Sequence, residues 1–208
     1  MFEQLRQQLQ LMVSDHRLSG ATIGVIDVKK EQRQIATVGV LGQKNYAKIP
    51  LTADYYYDLA SLTKLYTTYR LIQLEEEGQL KFEDTIQTYL PDFSFSDITI
   101  QNLLLHNSGL AKSVRQMTPL TKEALEEDII HPKRVAPVAE ETLYSDVGFM
   151  LLGQIIMAIT GEKLSDNYET YLFEAENLGH THFRLDENQL IRERYVPTEV
   201  MPSRGGML

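Results

Sequence analysis

The chain has 208 residues, 43% of them hydrophobic and 24% charged, which is enough for one sizeable globular domain or two small lobes. Its net charge of −9 and lack of a Lys/Arg cluster argue against nucleic acid or an anionic membrane surface as partner. Cysteine is absent, which excludes disulfides, thiolate metal sites and cysteine nucleophiles.

Residues 2–17 carry helical periodicity (Phe2, Leu5, Leu9, Met12 and Val13 on one stripe), and Gly20 closes that segment. This start lacks a basic patch followed by an apolar run, so it does not read as a signal peptide. The longest apolar stretches, 149–152 and 155–159, are too short for a bilayer span. The expectation is a soluble, cytoplasmic chain with no membrane partner, extracytoplasmic only if a leader was removed.

Ala21–Val28 is rich in β-branched residues, and after a polar turn Gln34–Val40 reads as a second strand, giving a hairpin. Residues 62–77 are helical, with Gly78 at the left-handed cap position. Asp84–Leu90 is a short helix or turn stopped by Pro91. Thr99 caps a helix over Ile100–His106, closed by Gly109. Residues 111–141, with Pro119, Pro132 and Pro137, read as helix plus loop. Val147–Thr160 is strongly helical and ends at Gly161, and Ser165 caps a further helix to about Phe173. From Leu178 onward the pattern is irregular. A lone hairpin leaves unpaired edges, so the sheet is expected to be incomplete.

Ser61-Leu-Thr-Lys64 is the one Ser-x-x-Lys in the chain and stands at the predicted start of a helix. Positions i and i+3 share a helical face, so the amine reaches the hydroxyl. A serine hydroxyl is a weak nucleophile, and an amine held neutral can take its proton. A helix start also aims backbone N–H groups at a developing oxyanion. By itself the pattern is better explained by an exposed capping serine with a solvated lysine. Tyr144-Ser145-Asp146 precedes the 147–160 helix. A tyrosine beside a cation ionises more readily and can relay a proton; the bland alternative is a half-buried tyrosine followed by Asp146 as helix N-cap. Tyr56-Tyr57-Asp58 matches the same loose pattern. His180 and His182 are too few for a metal site, and His106 reads as a locally hydrogen-bonded histidine at a helix end.

Context decides between these readings. Residues 59–68 (LASLTKLYTT), 74–85 (LEEEGQLKFEDT), 89–91, 98–110 (ITIQNLLLHNSGL), 144–156 (YSDVGFMLLGQII), Thr160-Gly161 and 178–183 (LGHTHF) occur in order. Together they resemble the class C β-lactamase-like and penicillin-binding-protein serine hydrolases, over about residues 20–208. The resemblance implies an α+β fold, with a helical lobe packed on an incomplete antiparallel sheet. It implies one truncated domain over 1–208: helix and hairpin (1–60), a mainly helical lobe (61–175), and a return toward missing sheet strands (176–208). It also implies Ser61 as nucleophile, Lys64 as the amine beside it, Tyr144 as general base or acid, and Asp146 at a substrate-orienting position. The family usually has Asn where Asp146 stands. A carboxylate cannot donate an amide hydrogen bond, and its pairing with Lys64 would favour the charged amine. The family's third motif, Lys-Thr-Gly or His-x-Gly, does not occur in the 208 residues, and with it the final strands and C-terminal helix are expected to be missing. The expected partner is a small-molecule ester, amide or β-lactam, with no cofactor and no metal. A second expectation is a catalytically silent domain that self-associates through its open sheet edge as a homo-oligomer.

Overall fold

In the computed structural model, residues 1–42, 49–114, 121–183 and 194–196 are described. The chain divides into two compact units, Met1–Asp58 with Leu185–Leu208, and Leu59–Arg184.

The first unit holds helix α1 (Phe2–Ser14) and strands β1 (Gly20–Asp27) and β2 (Gln32–Gly39). The strands pair antiparallel with Gly20 opposite Gly39 and Asp27 opposite Gln32, so the expected hairpin is present. α1 packs against both strands and ends at Ser14, three residues before the periodicity runs out; His16 just beyond takes a left-handed backbone, φ 57°. Side chains alternate across a strand: Ala21, Ile23 and Val25 are partly buried, while Thr22, Gly24 and Ile26 are exposed. The Tyr57 hydroxyl is bonded to Thr22 Oγ1 at 2.5 Å. Tyr56 N–H donates to the Arg194 carbonyl at 2.7 Å, tying a late segment of the chain to this unit.

The second unit is helical. A 3₁₀ turn at Ala60–Leu62 leads into α2 (Thr63–Glu76). After a short turn at Ile86–Thr88 come α3 (Ile100–Leu104), α4 (Lys122–Ile130), α5 (Asp146–Thr160) and α6 (Leu164–Tyr168), continued by a π-helical turn at Glu169–Glu174. α5 is the axis of the core. Leu151, Leu152, Ile155 and Ile156 are fully buried on it and join Leu71 and Leu74 of α2, Leu103 of α3, Ile129 of α4 and Tyr168, Leu172 and Phe173. No charged residue follows Asp146 within α5, so nothing on its buried faces needs an ionic partner. Gly161, φ 71°, ends α5 in the left-handed conformation that glycine adopts without steric cost. Arg70, buried on α2, donates to Asn167 on α6 at 2.9 Å and to Glu77 at 3.1 Å, holding the two helices together.

Local differences from the sequence expectations have local causes. Thr99 caps α3 as expected, but its helix ends at Leu104 because His106 turns left-handed, φ 55°. Residues 100–104 and 122–130 are the helical parts of the middle region; Pro119 lies outside the described residues. Ser165 does not cap α6: the helix begins one residue before it, with Lys163 at the cap, and the Ser165 hydroxyl turns to Asp166. Residues 178–183 are irregular, as expected, and most of the expected return over 176–208 lies outside the described residues. No single helix among the described residues is long and apolar enough to cross a membrane.

The core assignment gives a direct test. Leu152→Ala should cost about 2–5 kcal/mol, by lost burial plus the cavity left behind. Met150→Ala, on the exposed side of the same helix, should cost no more than about 1 kcal/mol. Urea unfolding of both variants would measure this, and equal costs would contradict the placement of α5.

Candidate active site

Ser61 sits in the 3₁₀ turn, two residues before α2 proper, and Lys64 is the second residue of α2. Turn and helix run on continuously, so the i, i+3 relation places Lys64 Nζ 3.4 Å from Ser61 Oγ. The residue before the serine, Ala60, has φ 44°, a left-handed conformation that costs a non-glycine residue roughly 1 kcal/mol or more. Strain of this kind persists only where surrounding contacts over-determine it, and here it sets the path of the chain into Ser61.

Tyr144 comes from 83 residues further on, yet its hydroxyl donates to Ser61 Oγ at 2.8 Å. The short segment that carries it is held from both sides. Leu143 N–H donates to the His106 carbonyl at 2.7 Å and Asp146 N–H to the Lys112 carbonyl at 2.8 Å. Ser145 N–H donates to His106 Nδ1 at 3.1 Å, and the Ser145 hydroxyl donates to the Ala111 carbonyl at 2.8 Å. Residues 106–112 therefore act as a rail along which 143–146 is laid. The rail itself needs Gly109: at φ 71°, any Cβ would collide with the Ala136 carbonyl.

Ser145, not Asp146, caps α5, its hydroxyl accepting from Gly148 N–H at 3.1 Å. Asp146 is thereby released from capping, and its Oδ1 accepts from Lys64 Nζ at 2.7 Å. The ammonium also lies 4.7 Å from the centre of the Tyr144 ring and 5.5 Å from that of Phe149. Burial by itself would lower the Lys64 amine. The Asp146 carboxylate and the Tyr144 oxygen outweigh burial and hold it above its ordinary 10.5. In the opposite sense, the adjacent Lys64 and then the Ser61 hydroxyl hold the Tyr144 phenol below its ordinary value near 10. His106 is pushed below its ordinary value by burial first and by Lys64 second, against the pull of Asp146. A neutral His106 ring fits its role as acceptor at Nδ1, which leaves its proton on Nε2.

The geometry thus brings together Ser61, Lys64, Tyr144 and Asp146. Tyr57, in the rival tripeptide, belongs to the first unit and bonds Thr22. His106 is the residue whose part the sequence understated: its ring partner lies 39 residues away, and its ring stacks on Tyr144 at 4.6 Å between centres. No group of three or more His, Cys, Asp or Glu among the described residues is placed to hold a metal ion.

Comparison with known proteins follows the same line. The Beta-lactamase family profile matches residues 2–206. The chain belongs to the β-lactamase family. It is 31% identical to penicillin-binding protein 4* of Bacillus subtilis over 156 residues, covering 71% of this chain and 34% of that protein. It is 30% identical to the teichoic acid D-alanine hydrolase of Staphylococcus aureus over 149 residues, covering 68% of this chain and 36% of that protein. Among solved structures it resembles a β-lactamase/D-alanine carboxypeptidase from Pseudomonas syringae, at TM-score 0.81 and 16% identity. That match covers 98% of this chain and 56% of the other. A class C β-lactamase matches at TM-score 0.78 and 18% identity, covering 93% of this chain and 53% of the other. These likenesses establish the α+β fold of the β-lactamases. The chain spans about a third of the length of these curated relatives and just over half of these solved chains.

The doubled role of Ser145 can be tested. Ser145→Ala should destabilise the chain by about 1–3 kcal/mol, through loss of the cap and of the bond to Ala111. Ser145→Asp can still cap but cannot donate to the Ala111 carbonyl, so it should recover only part of the loss. Thermal unfolding would show this, and an unchanged melting temperature in Ser145→Ala would count against it.

Proposed function

We propose that this site is the nucleophilic centre of a serine hydrolase that forms an acyl-enzyme on Ser61. The observation that carries this reading is the 2.8 Å contact between the Tyr144 hydroxyl and Ser61 Oγ, with the Lys64 ammonium beside both. In the ionised state Tyr144 takes the Ser61 proton as Oγ attacks the carbonyl carbon. The new C–O bond forms while the carbonyl π electrons move onto oxygen. Collapse of the intermediate breaks the bond to the leaving group, which receives the proton from Tyr144. Water then repeats the sequence on the acyl-enzyme, with Tyr144 again the base, and restores the serine.

Lys64 serves in this reading as a fixed cation and not as the base. Asp146 keeps it charged, and a charged lysine stabilises the phenolate that does the work. The departure from the family's Asn at this position thus favours the charged form of Lys64 and leaves the work of a base to Tyr144, the position to which the resemblance already assigns it. The second carboxylate oxygen of Asp146 can accept a hydrogen bond from a substrate N–H, the role left to this position once an amide donor is absent. The substrate class is a small ester, amide or β-lactam. The teichoic acid D-alanine hydrolase, the β-lactamase/D-alanine carboxypeptidase and the class C β-lactamase are similar proteins whose names indicate such bonds.

A catalytically silent domain that self-associates through its open sheet edge is the second reading. It is favoured by Ile26 and Ile35, which are 73% and 60% exposed on a sheet that has two strands among the described residues. Light scattering separates the two: a monomer that turns over an ester substrate removes it.

The hydrolase reading predicts a covalent mass increase on Ser61 after treatment with a fluorophosphonate or a penicillin, absent in Ser61→Ala. Tyr144→Phe should slow labelling by about 10²–10⁴-fold. Mass spectrometry showing no adduct on Ser61, or labelling at full rate in Tyr144→Phe, would sink it. The pH profile carries a further prediction. Asp146 raises the Lys64 amine, so activity that needs the ammonium is present below that raised value and lost as pH climbs through it. Asp146→Asn should therefore move the alkaline limb of the labelling rate to lower pH; a limb that stays put or rises contradicts the role given to Asp146.

A further inference from the structure

We propose that His106 is the positioning residue for Tyr144, gripping the peptide groups on both sides of the tyrosine while its ring backs the phenol. The inference rests on the role given to Tyr144 above. Three separate contacts converge on this one histidine. Its carbonyl accepts Leu143 N–H at 2.7 Å, one residue before Tyr144. Its ring Nδ1 accepts Ser145 N–H at 3.1 Å, one residue after. Its ring face lies 4.6 Å from that of Tyr144, tilted by 33°, and 5.2 Å from Phe149 on α5.

The left-handed backbone of His106, φ 55°, makes this possible. In a continued helix its carbonyl and ring could not both turn toward the same incoming strand of chain. The histidine therefore stands between the end of α3 and the start of α5, and it fixes Tyr144 at its backbone and at its ring face. Tyr144 is 43% exposed, so few other contacts immobilise its ring. With the grip loosened, the phenol is free to rotate away from Lys64 and Ser61, and the cation that eases its ionisation is no longer held beside it.

The experiment follows the ionisation of Tyr144 by NMR of the protein labelled at the tyrosine ζ-carbon, with Tyr144→Phe to assign the signal. His106→Phe keeps a ring and removes the acceptor; His106→Asn keeps an acceptor, tolerates the left-handed backbone and removes the ring. Both are uncharged above neutral pH, as His106 is, so a shift reports geometry and not a lost charge. In each variant that folds, the Tyr144 midpoint should rise by about half a pH unit or more toward that of an ordinary tyrosine. A histidine that served the fold alone would lower the melting temperature and leave the midpoint where it was. An unmoved Tyr144 midpoint in either folded variant overturns the proposal. Fluorophosphonate labelling of the parent is run alongside. A parent that fails to label while the midpoint moves removes the hydrolase reading and leaves the positioning role standing. A parent that labels while the midpoint stays fixed does the reverse.

Discussion

The ammonium of Lys64 is the charge around which the second unit's chemistry is organised. It lies within 2.7 Å of the Asp146 carboxylate and 3.4 Å of Ser61 Oγ, and above the face of Tyr144. Burial alone would lower the pKa of this ammonium. With Asp146 and Tyr144 as partners its pKa is held above the ordinary 10.5, and the cation in turn holds the Tyr144 phenol below its ordinary value, which is what the proposed role of Tyr144 as base draws on. Each surrounding feature serves this arrangement. Arg70 fixes α2 against α6, the α5 core fixes Asp146, and the strained Ala60 fixes the approach to Ser61.

Delivery of Tyr144 and Asp146 to that cation depends on a division of labour between adjacent residues. A helix start needs a side-chain acceptor, and either Ser145 or Asp146 could have supplied it. Because Ser145 does so, the carboxylate is left for Lys64. The Ser145 hydroxyl at the same time donates to Ala111, so one residue both starts α5 and docks it on the 106–112 rail. Consequences of a change at Ser145 should thus be felt in stability and in the position of Tyr144 together.

Much of this was legible in the sequence, for identifiable reasons. The Ser61–Lys64 relation is local and follows from helical spacing. The hairpin follows from the β-branched residues in 21–28, and α5 from its unbroken apolar run. The ordered family blocks linked Tyr144 to Ser61 across 83 residues, a distance that periodicity cannot bridge. The pairing of Asp146 with Lys64 was open to expectation once the family blocks aligned them, whereas the long-range bonds of His106 and Ser145 were not. Ser and Asp side by side are equivalent as caps until the location of Lys64 is known. His106 at the end of a short helix looks local until the chain returns at Leu143–Ser145. Ser165 has the chemistry of a cap, yet α6 starts one residue earlier, at Leu164, whose side chain lies close to Gly153 of α5.

The central claim, that Lys64 is a cation and not a base, is most directly tested by titrating its side chain. The ε-carbon signal of Lys64, assigned by Lys64→Arg, reports its protonation by NMR as a function of pH. The account predicts an amine still charged at pH 9, with a midpoint above its ordinary 10.5. A lysine that is already neutral near pH 7 would contradict it and return the role of base to Lys64.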